Sequence, residues 1–368
     1  GVPASSVIFR PAPFEDHGFI PTIAAPSAMT ASILLLLAAA AIYIACEFFV
    51  NGIEWVGHRL SLGETATGTV LAAFGTALPE SVVTLVAVAF ARGGSPGEAQ
   101  RQIGIGAALG GPLVLSTLAY ALVGLALLRH ARRLDRGPGC RVEVDHLRLS
   151  RDQAWFLVIF IAKIGLGLAV FTLKPWLGAL FLAAYAVYVR RELTQEPGAM
   201  SASHEAIDME PLKIRPRDAE PRLGWALLQT LGALVVIFFA ARIFVGRLEE
   251  MAISLGLAPQ VAALLLSPVA TELPEMMNAL IWVRQGKERL ALANISGAMM
   301  IQATVPTAFG LFFTPWRLDP ALLLSAGITA AAVLYLMLAF RRGQVRGWQL
   351  AQVGWLYLAF AAALGLLR

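Results

Sequence analysis

The strongest constraint on this chain is a succession of apolar runs, most of them long enough to cross a bilayer. We read ten, at about 28–57, 62–91, 99–128, 153–173, 175–190, 223–247, 255–283, 288–313, 320–340 and 347–366. A hydrocarbon core of ~30 Å needs ~20 helical residues. Span five is short, and only Lys174 and Pro175 separate it from span four. Hydrophobic residues make up 58% of the chain and charged residues 14%, against roughly 25% charged in a soluble domain. That excludes a disordered chain and argues against an ordinary soluble enzyme. The formal net charge of +5 is no nucleic-acid signal, because most basic residues sit in short loops between apolar runs. Two cysteines, Cys46 and Cys140, are too few for a disulfide framework.

Residues 1–27 form a mixed, Pro-rich lead without the cationic start or cleavage-like site of a signal peptide. The polar, Pro-punctuated stretch 191–222 reads as a linker between a first half, 28–190, and a second, 223–368. The halves share a register. Ser61-Leu62-Gly63 precedes Leu78-Pro79-Glu80, and Ser254-Leu255-Gly256 precedes Leu273-Pro274-Glu275, at offsets of 193 and 195. Glu47 and Arg242, and Glu54 and Glu249, also stand 195 apart. Five spans is an odd number, so a duplicated half enters the membrane from the opposite face. The expected fold is all-α and polytopic, with ten transmembrane helices in two inverted five-helix repeats. Loops after the odd-numbered spans hold 20 Lys and Arg residues, and the other face holds 7. The basic side is expected to be cytoplasmic, with the linker, and both termini extracytoplasmic, in a cell (inner) membrane.

Two spans carry a break at membrane depth. In the first, Gly75 and Pro79 interrupt the helix just before Glu80. In the second, Pro268 and Pro274 flank Thr271 and Glu272 and lead into Glu275. Intramembrane carboxylates are costly and mark ion paths or charge pairs. Structural kinks would explain either break alone; the matched pair argues for a site. Inverted repeats would bring Glu80 and Glu275 together near the midplane, with Thr76 and Thr271 adding oxygens. Such a hard-oxygen site suits Ca²⁺, and equally Na⁺ or exchange with protons.

These residues resemble the calcium/cation antiporter superfamily, which includes the sodium/calcium exchangers. Its two inverted repeats each carry a Gly-Thr-Ser-Leu/Ala-Pro-Glu type motif. The copies here are Gly75-Thr76-Ala77-Leu78-Pro79-Glu80 and Ala270-Thr271-Glu272-Leu273-Pro274-Glu275. The resemblance covers about 28–366 and implies cation-ligand roles for Glu80, Glu275, Thr76 and Thr271. The family's next helix carries a Gly-Asn-x-x-Gly-Ser-Asn/Asp pattern. Here Ala107 and Pro112 replace both polar positions in the first copy. The second copy keeps Asn294 and Gln302 but has Met299 where a carboxylate or amide would stand. Glu272 replaces a small hydroxyl residue and restores one carboxylate.

Four other charges fall in apolar surroundings. Glu47 and Arg242 are expected to pair near the pseudo-twofold axis, or Glu47 to line an ion or proton path. Glu54 lies nearer the cytoplasmic end. Lys163 is expected to pair or snorkel, with neutralisation of a site carboxylate as the alternative. Gly104, Gly106, Gly110, Gly111 and Gly297 are expected to permit close helix packing. Several Trp residues, Trp316 among them, are expected as interfacial anchors, and the histidines lack metal-ligand spacing. The expected function is secondary-active antiport of Ca²⁺ or a related cation against Na⁺ or H⁺ by alternating access. It involves no enzyme chemistry, cofactor, nucleotide or nucleic acid, and the expected partners are the lipid bilayer and inorganic cations. The alternative is a gated cation channel; a membrane enzyme is disfavoured because no nucleophile accompanies the carboxylates.

Overall fold

The computed structural model describes residues 28–60, 78–131, 141–142, 144–169, 173–194 and 210–366. Among them the chain is all-α. The helices are α1 (Ala28–Arg59), α2 (Leu78–Ala89), α3 (Gly94–Val114), α4 (Tyr120–His130), α5 (His146–Leu168), α6 (Gly178–Thr194) and α7 (Leu223–Ser254). They continue with α8 (Pro259–Thr271), α9 (Leu273–Arg284), α10 (Glu288–Phe313), α11 (Pro320–Arg341), α12 (Gly347–Ala351) and α13 (Gly354–Leu366). Among the described residues six stretches are long and apolar enough to cross a membrane: Thr30–Arg59, Gly97–His130, Leu223–Ser254, Glu288–Phe313, Pro320–Arg341 and Gly347–Leu366. The chain is a multi-pass membrane protein.

Burial separates two kinds of helix. The windows in Gly97–His130 and Glu288–Phe313 are 78% and 83% buried, whereas that in Thr30–Arg59 is 33% buried. So α3 and α10 are central, and α1 and α7 pair along each other with their outer faces bare. Leu36, Leu37, Ile44, Leu231, Val235 and Phe239 are exposed there, as a lipid-facing surface requires. α10 touches α2, α3, α5, α6 and α9 and ties the bundle together.

Glycines on one face of α3 let α8 approach. A β-carbon at Gly106 would meet the Gln260 carbonyl oxygen at 2.1 Å, and one at Gly110 would meet that of Leu264 at 2.7 Å. One at Gly104 would strike Val88. Among the described residues nothing lies within 4 Å of a β-carbon placed on Gly297. Trp316 departs from the expectation. It is fully buried, with φ 46°, and its ring fills the space a Gly310 β-carbon would take, at 2.1 Å. Trp176 and Trp355 are exposed.

Helix α6 is preceded by a 3₁₀ turn, Lys174–Leu177, which accounts for the shortness of span five, and it runs on to Thr194. The first four residues of the linker, 191–194, are thus helical. The linker's end docks on α1 and α7: Asn51 donates to the Glu210 carbonyl at 3.2 Å and accepts from Lys213 N at 3.0 Å. Gln229 accepts from Ile214 N at 2.9 Å and donates to Asn51 Oδ1 at 2.9 Å.

Gly106→Ala should destabilise the protein by about 1–3 kcal/mol, because the clash is with backbone. Gly232→Ala, at an exposed position of α7, should be neutral or slightly stabilising. Thermal unfolding of both variants in detergent checks this; equal melting temperatures would contradict the packing.

Candidate functional site

The second break is a single-residue corner. α8 ends at Thr271, Glu272 stands at φ −98° and ψ −10°, and α9 starts at Leu273 with Pro274 in its first turn. Proline lacks an N–H, and at the start of a helix it forgoes a bond that would be unpaired anyway. On the first-half side, α2 starts at Leu78, with Pro79 second and Glu80 in its first turn. Glu275 holds the same place in α9. Both carboxyls thus lie at the positive end of a half-helix dipole. Gly75 and Thr76 lie outside the described residues.

Glu80, Glu272 and Glu275 are all buried, none more than 1% exposed. Thr271 joins two of them: its Oγ1 lies 2.7 Å from Glu80 Oε2 and 3.0 Å from Glu272 Oε1. It is also 3.2 Å from the Ser267 carbonyl. A hydroxyl has one proton to donate and lone pairs with which to accept. Two carboxyls on one hydroxyl are satisfied together when one of them is protonated and donates in turn. Gln302 of α10 is fully buried. Gly111 makes room for it, since a β-carbon there would stand 2.8 Å from Gln302 Oε1.

Several buried oxygens have no hydrogen-bond partner among the described residues: Glu80 Oε1, Glu272 Oε2, both of Glu275, Gln302 Oε1, Ser267 Oγ and Thr84 Oγ1. Orphaned buried acceptors are costly. Ser267 and Thr84 escaped the sequence reading. Each lies four residues, one helical turn, from a residue it had identified, Thr271 and Glu80 respectively, and that spacing was the available signal. Asn294 is half-buried, and its Nδ2 is enclosed without a partner. No contact brings it to the carboxyls among the described residues.

Two expectations are corrected. Glu47 and Arg242 do not pair. Glu47 is exposed and lies 3.6 Å from Lys213 of the linker, while Arg242 is exposed over the Phe238 ring. Both side chains face outward from the α1–α7 pair, so equivalent positions in the repeat do not bring them together. Glu54 is half-buried. Lys163 neither snorkels nor forms an ion pair among the described residues. It is fully buried, and its Nζ donates to the Ala108 carbonyl at 2.7 Å. The buried stripe of α5, with Phe156, Ile159, Phe160 and Gly167, carries it inward.

Comparison with known proteins follows this geometry. The sequence profile of the sodium/calcium exchanger protein family matches residues 30–192 and 225–365. The chain belongs to this family and is a secondary-active cation antiporter. It is 26% identical over 263 residues to the inner membrane protein YrbG of Escherichia coli, covering 69% of this chain and 70% of that protein. Its fold is similar to the crystal structure of the H⁺/Ca²⁺ exchanger CAX, with a TM-score of 0.68 at 18% identity over 91% of this chain and 81% of that one. It is also similar to the sodium-calcium exchanger NCX_Mj, with a TM-score of 0.55 at 20% identity over 92% and 99%.

Thr271→Val keeps the shape and removes the hydroxyl shared by Glu80 and Glu272. It should lower stability by about 1–3 kcal/mol, and Thr271→Ser should restore most of that. Unfolding of both variants at one pH in detergent is the check; an unaffected Val variant would mean the hydroxyl holds neither carboxyl.

Proposed function

We propose that this antiporter exchanges Ca²⁺ for H⁺ or Na⁺ at Glu80, Glu272 and Glu275, with Thr271, Gln302 and Thr76 supplying further oxygens. The observation that carries the reading is the set of buried, unpartnered oxygens along the broken helices. Hard oxygens in that number suit Ca²⁺, which takes six to eight ligands. Among the described residues no three acidic, His or Cys groups lie close enough to hold a metal ion. Loading therefore draws side chains inward around the cargo, and unloading lets the Thr271 hydroxyl and a proton take its place. The pairing of two carboxyls on that hydroxyl favours protons as counter-ion. Family membership assigns antiport, and nothing in the comparisons supports a channel.

The proposed frame is ten helices in two inverted five-helix repeats, 28–190 and 223–368, joined by a cytoplasmic linker at 191–222. Residues 1–27 form an extracytoplasmic lead, and both termini face outward from an inner membrane. The charge asymmetry of the loops supports this orientation. The packing of α1 on α7 and of α3 on α10, each a pair of equivalent helices, supports the repeat. So does the gap in the family match at 193–224.

In proteoliposomes, Ca²⁺ uptake should follow an imposed outward H⁺ or Na⁺ gradient. Glu80→Gln and Glu275→Gln should each reduce it at least about tenfold. Protons occupy the same oxygens as the metal, so the Ca²⁺ concentration for half-maximal uptake should rise as pH falls. Uptake that ignores both gradients would favour a channel, and full activity in Glu80→Gln would end the site assignment.

A further inference from the structure

The antiport reading leaves Lys163 without a role. Its Nζ lies 5.2 Å from the Phe160 ring centroid and 5.9 Å from that of Trp316, within cation–π range. Trp316 also fastens the α5 backbone, donating from Nε1 to the Lys163 carbonyl at 3.1 Å. The acceptor of the ammonium has a local cause. In a regular helix the Ala108 carbonyl would take the N–H of residue 112. Residue 112 is proline, which has none, and its ring pushes that carbonyl aside. α3 therefore offers an orphan carbonyl, and α5 fills it with an ammonium at 2.7 Å. Among the described residues no carboxylate lies within ion-pair distance of Nζ, but Ala108 stands on α3 between Gly104, packed against the Thr84 carbonyl one turn from Glu80, and Gly111, packed against Gln302. A lysine that needed only neutralising would sit on a carboxylate. This one is held at a distance by a carbonyl and two rings.

We infer that Lys163 is a tethered cation of the transport site. Held by the Ala108 carbonyl, Phe160 and Trp316, its fixed charge offsets part of that of Glu80, Glu272 and Glu275 when no cargo is bound. It thereby sets how tightly a divalent cation binds and helps the unloaded carrier reorient. This inference rests on the carboxyls being the cation site. The physical argument is Coulombic. In the low-dielectric interior a fixed positive charge repels an incoming cation and lowers the cost of enclosing carboxylates that have lost theirs. Lys163 is a charge-balancing residue that does not ligate the cargo.

The test uses the purified full chain, with Ca²⁺ binding followed by calorimetry and flux followed in proteoliposomes. Lys163→Met removes the charge and the donor. Lys163→Gln removes the charge and keeps an N–H for Ala108. Lys163→Arg keeps the charge and controls for packing. Both neutral variants should bind Ca²⁺ at least about tenfold tighter than the unaltered protein. They should retain Ca²⁺/Ca²⁺ self-exchange and lose most net exchange against the counter-ion, and Lys163→Arg should stay within about threefold on both measures. A purely structural role would not tighten binding. Unchanged or weaker Ca²⁺ binding in both neutral variants overturns the inference. If Glu80→Gln abolishes binding in the same series, the cation-site reading stands and the tethered charge alone falls. Absence of Ca²⁺ binding by the unaltered protein removes the site reading and the inference with it.

Discussion

Three carboxyl groups enclosed at membrane depth are expensive, and the rest of the structure is arranged around that cost. Glu80, Glu272 and Glu275 are buried, and each has at least one oxygen without a donor among the described residues. Three devices compensate. Glu80 and Glu275 open half-helices, where the unpaired N–H groups are positive. Thr271 links Glu80 to Glu272 through one hydroxyl. In the inference drawn above, Lys163, seated on the Ala108 carbonyl, supplies a compensating positive charge. None of these fills every acceptor. On the proposed site assignment, what is left over is enough unsatisfied oxygen to draw in a cation, with enough compensation that the site survives its departure.

Proline gives the backbone a share in this arrangement. Pro274 permits the one-residue corner at Glu272. Pro112 strips the Ala108 carbonyl of its helical donor, and Pro306 does the same to the Gln302 carbonyl on α10. Freed carbonyls are tolerated in a bilayer only against protein or a wet cavity. That requirement explains why α3 and α10 are the central helices of the bundle, while α1 and α7, which contain no proline, face lipid. A five-residue π turn, Leu115–Ala119, follows Pro112 and carries α3 into α4, again inside the core.

The helical frame was legible because membrane helices announce themselves by length and apolarity, and the corner at Glu272 because proline acts locally. Thr271, Glu275 and Gln302 followed from position in those motifs. What the sequence misled on depends on rotation about a helix axis. Glu47 and Arg242 stand at equivalent positions, yet equivalence in a repeat is not adjacency, and both point away from the α1–α7 contact. Gly106 and Gly110 touch the α8 backbone, a contact fixed by which face of α3 meets α8. Lys163 was conspicuous as a charge. Its destination depends on a carbonyl freed by a proline 51 positions away, which no local pattern encodes.

The departures from the family motif make sense together once charge is considered. Ala107, Pro112 and Met299 remove neutral or acidic oxygen ligands from α3 and α10. Glu272 adds a carboxylate at the corner, and Lys163 adds an ammonium against α3. With all four groups ionised, Glu272 and Lys163 cancel, leaving the two negative charges of Glu80 and Glu275. On the proposed site assignment, that remainder matches a single divalent cation. On this argument Pro112 does more than delete a ligand. By freeing the Ala108 carbonyl it creates the seat that lets a lysine lie near three carboxyls without collapsing onto any of them.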